Sequence, residues 1–102
     1  MPQELAILII RPLDEYFEEL VDEFPSMVEE AKQFPGCIDA FLAISHKRKE
    51  ILVQHRWKNR DAQNEYLAWR GERGDLMRLS ERIKEEPFFR SYSLDISPGQ
   101  KR

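Results

Sequence analysis

The fold is decided by one stretch of the chain, residues 35–61, which reads PGCIDAFLAISHKRKEILVQHRWKNRD. Residues 37–45 are apolar on both faces of an extended chain, residues 46–49 are polar and basic, and residues 51–57 are again rich in apolar side chains. This order predicts a strand, a tight turn and an antiparallel partner strand. Because Asn59 is a good helix N-cap, the hairpin is predicted to lead directly into a helix.

A strand and a helix are predicted before the hairpin. Residues 5–10 form a continuous apolar run, which is typical of a strand that is buried on both faces. Residues 16–34 carry apolar side chains at helical spacing, with Asp14 as a candidate N-cap. Pro25 interrupts this pattern because proline lacks an N–H group, and so we expect one kinked helix or two short ones.

The pattern after the hairpin completes the fold class. The helix is predicted to end near residue 70, and Asp75 is a candidate cap for a second helical piece. Residues 88–96 predict the last strand, and residues 97–102 predict a polar tail. Residues 1–102 therefore read as one α+β domain with βαββαβ order, the ferredoxin-like arrangement with an antiparallel four-stranded sheet.

Helices cover only one face of such a sheet. Three of the four predicted strands are apolar on both faces, and one helical layer cannot bury both. The economical solution is a second copy of the chain, with the two sheets facing each other in a dimeric α/β barrel. We therefore predict a homodimer, with any ligand cavity beneath the helices.

The composition excludes several classes of function. The chain is 41% hydrophobic and 34% charged, as is usual for a globular domain, and its net charge of −3 disfavours nucleic-acid and anionic-membrane partners. A single cysteine, Cys37, favours a reduced, cytoplasmic setting. Cys37, His46 and His55 lack the spacing of metal ligands, so no metal site is expected. An RNA-recognition module would need exposed aromatic side chains in residues 5–10, and none is present.

The chain resembles the antibiotic biosynthesis monooxygenase domain family over residues 5–96. The likeness rests on these features: Phe34-Pro35-Gly36-Cys37 before the second strand, the hairpin, Trp57 before the capped helix, Tyr66 and Trp69 on that helix, and the closing strand after Pro87. The resemblance implies a dimeric α+β barrel. It also implies kinship with cofactor-independent oxygenases of polyketide phenols and quinols, with haem-degrading enzymes, and with proteins of no known activity.

The haem-degrading branch of that family is not matched. Its members carry an Asn on the first strand, and a Trp and a His ten residues apart on the helix after the third strand. Residues 4–11 contain no Asn. Tyr66 stands where the Trp is expected, and Leu76 lies ten residues further on, while counting from Trp69 reaches Leu79. With no histidine to ligate iron, the chain is expected to use no haem and no other cofactor.

An oxygenase without a cofactor needs a base, donors for the substrate anion and a dry aromatic pocket. The candidate catalytic residues are His55 and Tyr66, and the candidate substrate-binding residues are Arg11, Trp57 and Trp69, with Arg56 as a further candidate for an oxyanion. His55 can act as a base near neutral pH and shares a strand face with Trp57. Each residue also has a structural interpretation: a core or interface histidine, aromatic packing, or surface ion pairs.

Two functions follow from this set of residues. The first is a cofactor-independent monooxygenase that acts on a small aromatic, phenolic or quinol substrate. The alternative is a non-catalytic dimeric domain that binds or senses a small molecule on the same fold. A dimer whose aromatic side chains only pack against each other is also consistent with the sequence.

Overall fold

The computed structural model describes residues 2–94. Its elements are β1 (Gln3–Ile10), a 3-10 turn (Asp14–Tyr16), α1 (Phe17–Gln33), β2 (Cys37–Ser45), β3 (Glu50–Trp57), α2 (Arg60–Glu72), α3 (Asp75–Ser80) and β4 (Phe88–Leu94). The strands form one antiparallel sheet in the order β2-β3-β1-β4. The ferredoxin-like α+β prediction is confirmed. The last two residues predicted for β4, and the predicted tail, lie outside the described residues.

The helix boundaries depend on capping and on Pro25. Of the two predicted alternatives, one helix or two short ones, the structure has one helix, since α1 continues through Pro25. Asn59 caps α2 as predicted, since its Oδ1 accepts a hydrogen bond from the backbone N–H of Ala62 at 2.9 Å. The predictions for Asp14 and Asp75 as N-caps are wrong. Each is the first residue of its turn, and neither turn has a side-chain cap.

The sheet register separates two faces. On the helix side of the sheet Ala6 pairs with His55, and on the opposite side Leu5 pairs with Arg56. The prediction that His55 and Trp57 share one face of β3 is confirmed, because the strand alternates from Ile51 to Trp57 and its two end residues on that face, Ile51 and Trp57, are fully buried beneath helices. Successive side chains of a strand point to opposite faces, so the same alternation places the remaining residues.

Helix α1 closes one half of the helix side. Its buried residues recur at helical spacing and are Phe17, Leu20, Phe24, Val28 and Ala31. Most of them pack with Ile10, Ile51 and Val53 of the sheet in one apolar cluster. Burying a side chain of this size stabilises the fold by about 1.5–3 kcal/mol, so this half contributes much of the stability of the fold.

The other face of the sheet has no helix over it. Large apolar side chains remain exposed there, with exposed fractions of 56% for Phe41, 51% for Tyr92 and 46% for Phe88. Arg56 also lies on this face, where its Nη2 donates to Asp39 Oδ2 at 2.6 Å. This is the uncovered apolar face that the strand pattern predicts. Within the described residues, no helix has both the length and the apolar character needed to cross a membrane.

Candidate functional site

A cavity of about 310 Å³ lies between the helix side of the sheet and helices α2 and α3. Its walls are mainly apolar and come from β1, β3, β4 and all three helices. The polar and charged side chains at the wall are His55, Gln63, Tyr66, Arg70 and Asp75. Small-molecule sites have volumes of about 300–1,000 Å³ with a few convergent polar groups, so this cavity can accept a small aromatic ligand.

Local backbone geometry sets helix α2 at the cavity. Gly36 has a φ of +89°, which favours glycine, and a Cβ built there would lie 2.6 Å from the Cβ of Ala62. The carbonyl of Gly36 accepts a hydrogen bond from the N–H of Lys58 at 2.8 Å. Together with the Asn59 cap, this close approach fixes where α2 begins, and thereby where its side chains enter the cavity.

His55 lies on the helix side of β3 and lines the cavity. Its ring meets those of Tyr66 and Trp57 edge-on, with centroids 5.3 and 5.6 Å apart. Burial, together with the positive charge of Arg70, lowers the pKa of His55 to about 4. The imidazole is therefore neutral at physiological pH, so it can accept a proton, but burial and Arg70 make it a weak base.

Tyr66 presents a phenol that is ready to donate a hydrogen bond. Its hydroxyl oxygen accepts from Nε of Arg70 at 2.8 Å, which leaves its own proton for another acceptor. Burial raises the pKa of Tyr66, so the phenol stays protonated at physiological pH. The positive charge of Arg70 behind the oxygen strengthens the O–H group as a donor toward a ligand.

Arg70 is a site residue that sequence reasoning missed. It is only 3% exposed, and its guanidinium is held on several sides. Besides the Tyr66 hydroxyl, it donates to Glu30 Oε1 at 2.9 Å, to Asp75 Oδ2 at 3.0 Å and to the carbonyl of Met27 at 2.8 Å. The i,i+4 spacing from Tyr66 was the available signal, but an arginine near a helix end is usually solvated.

Trp57 lines the cavity, while Trp69 does not. Trp57 is fully buried, and its Nε1 has no hydrogen-bond acceptor among the described residues. Trp69 packs on Phe34, with the guanidinium groups of Arg70 and Arg73 over its ring. Trp69 therefore holds the outer side of α2 in place, away from the cavity wall.

Neither arginine proposed from the sequence for a substrate oxyanion reaches the cavity. Arg11 is exposed beyond the end of β1, where it pairs with Glu85 at 2.7 Å and Glu50 at 3.7 Å. Arg56 lies on the opposite face of the sheet, paired with Asp39. The structure thus brings His55, Tyr66 and Trp57 together and leaves Arg11 and Trp69 outside. The positive charge near the cavity comes from Arg70 instead.

Gln63 is the second polar wall residue that sequence reasoning missed. It is 5% exposed, and its side chain reaches Ser91 on β4. No spacing signal marks a lone glutamine on a helix, because its importance depends on a strand 28 residues away. Within residues 2–94, no three His, Cys, Asp or Glu side chains are grouped so that they could hold a metal ion.

Fold and cavity together define a small α+β domain with a largely apolar cavity between its sheet and its helices. The chain belongs to the antibiotic biosynthesis monooxygenase family, whose model matches residues 6–72, about two thirds of the sequence. No curated protein matches the chain significantly.

Solved structures share this fold along nearly the whole chain. A candidate antibiotic biosynthesis monooxygenase from Deinococcus radiodurans has a TM-score of 0.83 at 14% identity, covering 97% of this chain and 99% of that one. A conserved protein from Methanosarcina mazei Go1 has a TM-score of 0.80 at 18% identity, covering 93% and 95%. SnoaB from Streptomyces nogalater, described as a cofactor-independent oxygenase and solved as a mutant, has a TM-score of 0.73 at 13% identity, covering 98% and 100%. Identities this low establish a shared fold alone.

Proposed function

We infer that the protein is a cofactor-independent monooxygenase that acts on a small phenolic or quinol substrate in the cavity. The observation that carries this proposal is the meeting of His55, Tyr66 and Arg70 at one apolar cavity of about 310 Å³. Membership of the family supports an oxygenase, and the likeness to SnoaB supports one that works without a cofactor.

The first step is removal of a proton from the substrate. The neutral imidazole of His55 takes the proton, and the substrate anion accepts a hydrogen bond from the hydroxyl of Tyr66, backed by Arg70. His55 by itself is a weak base. A substrate anion beside it raises its proton affinity, because opposite charges attract strongly where water is excluded.

The substrate then reduces dioxygen itself. The ring carbanion adds to O₂ and forms a C–O bond, and the resulting peroxide takes up the proton that the imidazolium holds. Loss of the second proton from the same carbon breaks the O–O bond, leaving a carbonyl and releasing water. A ring methylene, the keto form of a phenol, is thereby converted with O₂ into a carbonyl and water, and all the electrons come from the substrate.

Oxygen uptake with a panel of phenols and quinols in metal-free buffer tests the proposal. Loss of a general base typically costs a factor of about 10²–10⁴ in rate, so His55→Gln should lower kcat at least about 100-fold. Tyr66→Phe should lower it as well, because the anion loses its donor. The matched controls are His46→Gln in the hairpin turn and Tyr92→Phe on the opposite sheet face, both of which should retain activity. Turnover that survives both cavity substitutions would refute the assignment.

A non-catalytic binding domain is the second candidate. The observation that favours it is the lowered pKa of His55, about 4, which leaves the cavity without a strong base. The same panel separates the two functions. Saturable binding of an aromatic ligand without oxygen uptake above the uncatalysed rate would establish the binding domain and exclude the enzyme.

The uncovered face of the sheet supports a homodimer. Its exposed aromatic side chains lie on the two edge strands, Phe41 on β2 and Phe88 and Tyr92 on β4, and the central strands β3 and β1 place partly buried apolar side chains such as Leu52 and Ile9 between them. Monomers rarely leave a large contiguous apolar patch in water. We expect the chain to elute as a dimer at micromolar concentration in size-exclusion chromatography with light scattering. Phe41→Glu should convert it to a monomer, and a wild-type chain that is already monomeric would contradict the proposal.

A further inference from the structure

A buried carboxylate stands behind one wall of the cavity. Glu4, on the helix side of β1, is only 2% exposed. Its Oε2 accepts from the hydroxyl of Ser91 at 2.6 Å, and its Oε1 accepts from Ser93 at 3.2 Å. Nε of Arg60 lies 3.6 Å from Oε2. A buried charge keeps such partners because losing them would leave it desolvated and unpaired.

The carboxylate decides where the hydroxyl proton of Ser91 goes. Ser91 lies within hydrogen-bond distance of Glu4 and of both amide atoms of Gln63, but it has one proton to give. The bond to the carboxylate is the shorter one and is charge-assisted, so it takes that proton. Ser91 must then accept from Gln63, which it does from Nε2 at 3.0 Å.

This arrangement leaves the amide oxygen of Gln63 without a donor. Oε1 lies 3.2 Å from the Ser91 hydroxyl, but the proton of that hydroxyl is committed to Glu4. Gln63 is 5% exposed and lines the cavity, so a bound molecule can reach its side chain. A largely buried acceptor without a donor is costly, and a ligand that supplies a hydroxyl proton removes that cost.

We propose that Gln63 makes the cavity selective for ligands that carry a hydroxyl group, by accepting the hydroxyl proton at Oε1. Glu4 and Ser91 are positioning residues, since Glu4 takes the hydroxyl proton of Ser91, and Ser91 then accepts from Nε2 of Gln63 and leaves Oε1 without a donor. The inference rests on the proposed function in taking the same cavity as the ligand site, and it adds the feature by which a phenol is distinguished from a plain aromatic hydrocarbon.

The test compares 1-naphthol with 1-methylnaphthalene, which has nearly the same shape and no hydroxyl. Affinities are measured by quenching of tryptophan fluorescence under nitrogen, so that no ligand is oxidised. One net hydrogen bond is worth about fivefold in affinity, so Gln63→Leu should lower the ratio of naphthol to methylnaphthalene affinity about fivefold. A ratio that does not change would overturn the inference, as would a wild-type chain that binds neither compound.

The positioning role has its own variants. In Glu4→Gln the new amide can donate to Ser91, whose proton is then released to Oε1 of Gln63, so the affinity ratio should fall. Ser91→Ala should lower it too, because the Gln63 amide loses its orientation, and this variant leaves the buried carboxylate in place. Ser93→Ala is the matched control, because Ser93 donates to Glu4 and makes no hydrogen bond with Gln63 among the described residues. In this variant the ratio of naphthol to methylnaphthalene affinity should stay at its wild-type value. Equal effects of Ser91→Ala and Ser93→Ala would show that Glu4 and Ser91 act only through stability.

Parallel oxygen-uptake assays separate this inference from the proposed function. Hydroxyl selectivity that depends on Gln63, without turnover, would support the inference and refute the oxygenase. Turnover together with a hydroxyl selectivity that Gln63→Leu does not change would support the oxygenase and refute the inference about Gln63.

Discussion

Ile51 and Leu52 are neighbours on β3 and lie on opposite faces of the sheet. Ile51 is fully buried, packed in the cluster that α1 closes, whereas Leu52 is only partly buried on the face that no helix covers. The two side chains are equally apolar. The alternation of the strand places the two residues on opposite faces, and the elements that pack on each face decide how deeply each residue is buried.

The helix side is itself divided. Beneath α1 it is packed without a gap between Leu20 and Ile51, both of which are fully buried. Beneath α2 and α3 it opens into the cavity, where polar side chains meet apolar ones. The closed half stabilises the fold, and the open half holds the cavity that we propose as the active site.

The largest expected effect contrasts the two faces directly. Ile51→Ala should lower the free energy of unfolding by about 3–4 kcal/mol, because it leaves a cavity in the closed half. Leu52→Ala should cost about 1 kcal/mol at low protein concentration and more at high concentration, where the proposed dimerisation would be coupled to folding. Urea unfolding at two protein concentrations measures both losses. A loss for Leu52→Ala that is the same at both protein concentrations would contradict the proposed role of this face in dimerisation.

The second prediction concerns pH and the open half. An unfolded histidine has a pKa near 6.5, and that of His55 in the fold is about 4. Between these values the unfolded chain binds a proton that the folded chain does not, so stability falls as the pH drops through this window. The loss between pH 7 and pH 4 should approach about 3 kcal/mol.

Urea midpoints from pH 4 to pH 8 measure this effect, with His55→Phe as the comparison. The variant should have a flatter profile above pH 4.5. The contribution of Glu30, whose pKa is lowered mainly by its hydrogen bond with Arg70, is lost only as the pH falls below the ordinary range of a carboxyl group. Identical profiles for both proteins would mean that His55 is not buried as a neutral group.

The third prediction compares two arginines that share partners. Arg70 and Arg73 both pair with Glu30 and Asp75, but Arg70 is buried and Arg73 is exposed. Arg70→Ala should cost about 2 kcal/mol, because the buried Asp75 and the Tyr66 hydroxyl lose a donor. Arg73→Ala should cost less than about 0.5 kcal/mol. Thermal unfolding ranks the two variants, and a larger loss for Arg73→Ala would contradict the buried cluster.

The smallest expected effect tests how α2 is held over the cavity. Asn59→Ala removes the cap of that helix and should cost about 1 kcal/mol. Asn64, exposed within the same helix, is the matched control, and Asn64→Ala should change stability by less than about 0.5 kcal/mol. Denaturant unfolding distinguishes the two, and a costlier Asn64→Ala would place the start of α2 elsewhere.

Local patterns predicted most of the fold, because they act over a few residues. The hairpin, the cap at Asn59 and the shared face of His55 and Trp57 each follow from local spacing, and each is confirmed. Asp14 and Asp75 were wrong as caps, because an aspartate at a helix start can equally form ion pairs. Asp75 pairs with Arg70 and Arg78 instead of capping its helix.

The candidate site was predictable only in part. His55 and Tyr66 could be proposed because histidine and tyrosine stand out chemically, and the structure brings both to one cavity. Arg70 and Gln63 could not, since an arginine or a glutamine on a helix is ordinarily solvated. Arg11 was attractive as a strand-end cation, and the structure pairs it with Glu85 outside the cavity.

The amino-acid sequence by itself determined the order of strands and helices and which strand residues share a face, because hydrophobic periodicity, caps and turns are local. Only the tertiary structure decided that α1 closes its half of the sheet while α2 and α3 leave a cavity, that buried Arg70 donates to the Tyr66 hydroxyl, and that Ser91 lies between Glu4 and Gln63. The physical reason is that burial and hydrogen-bond partners come from residues distant in the chain, and the same side chain behaves differently once water is excluded.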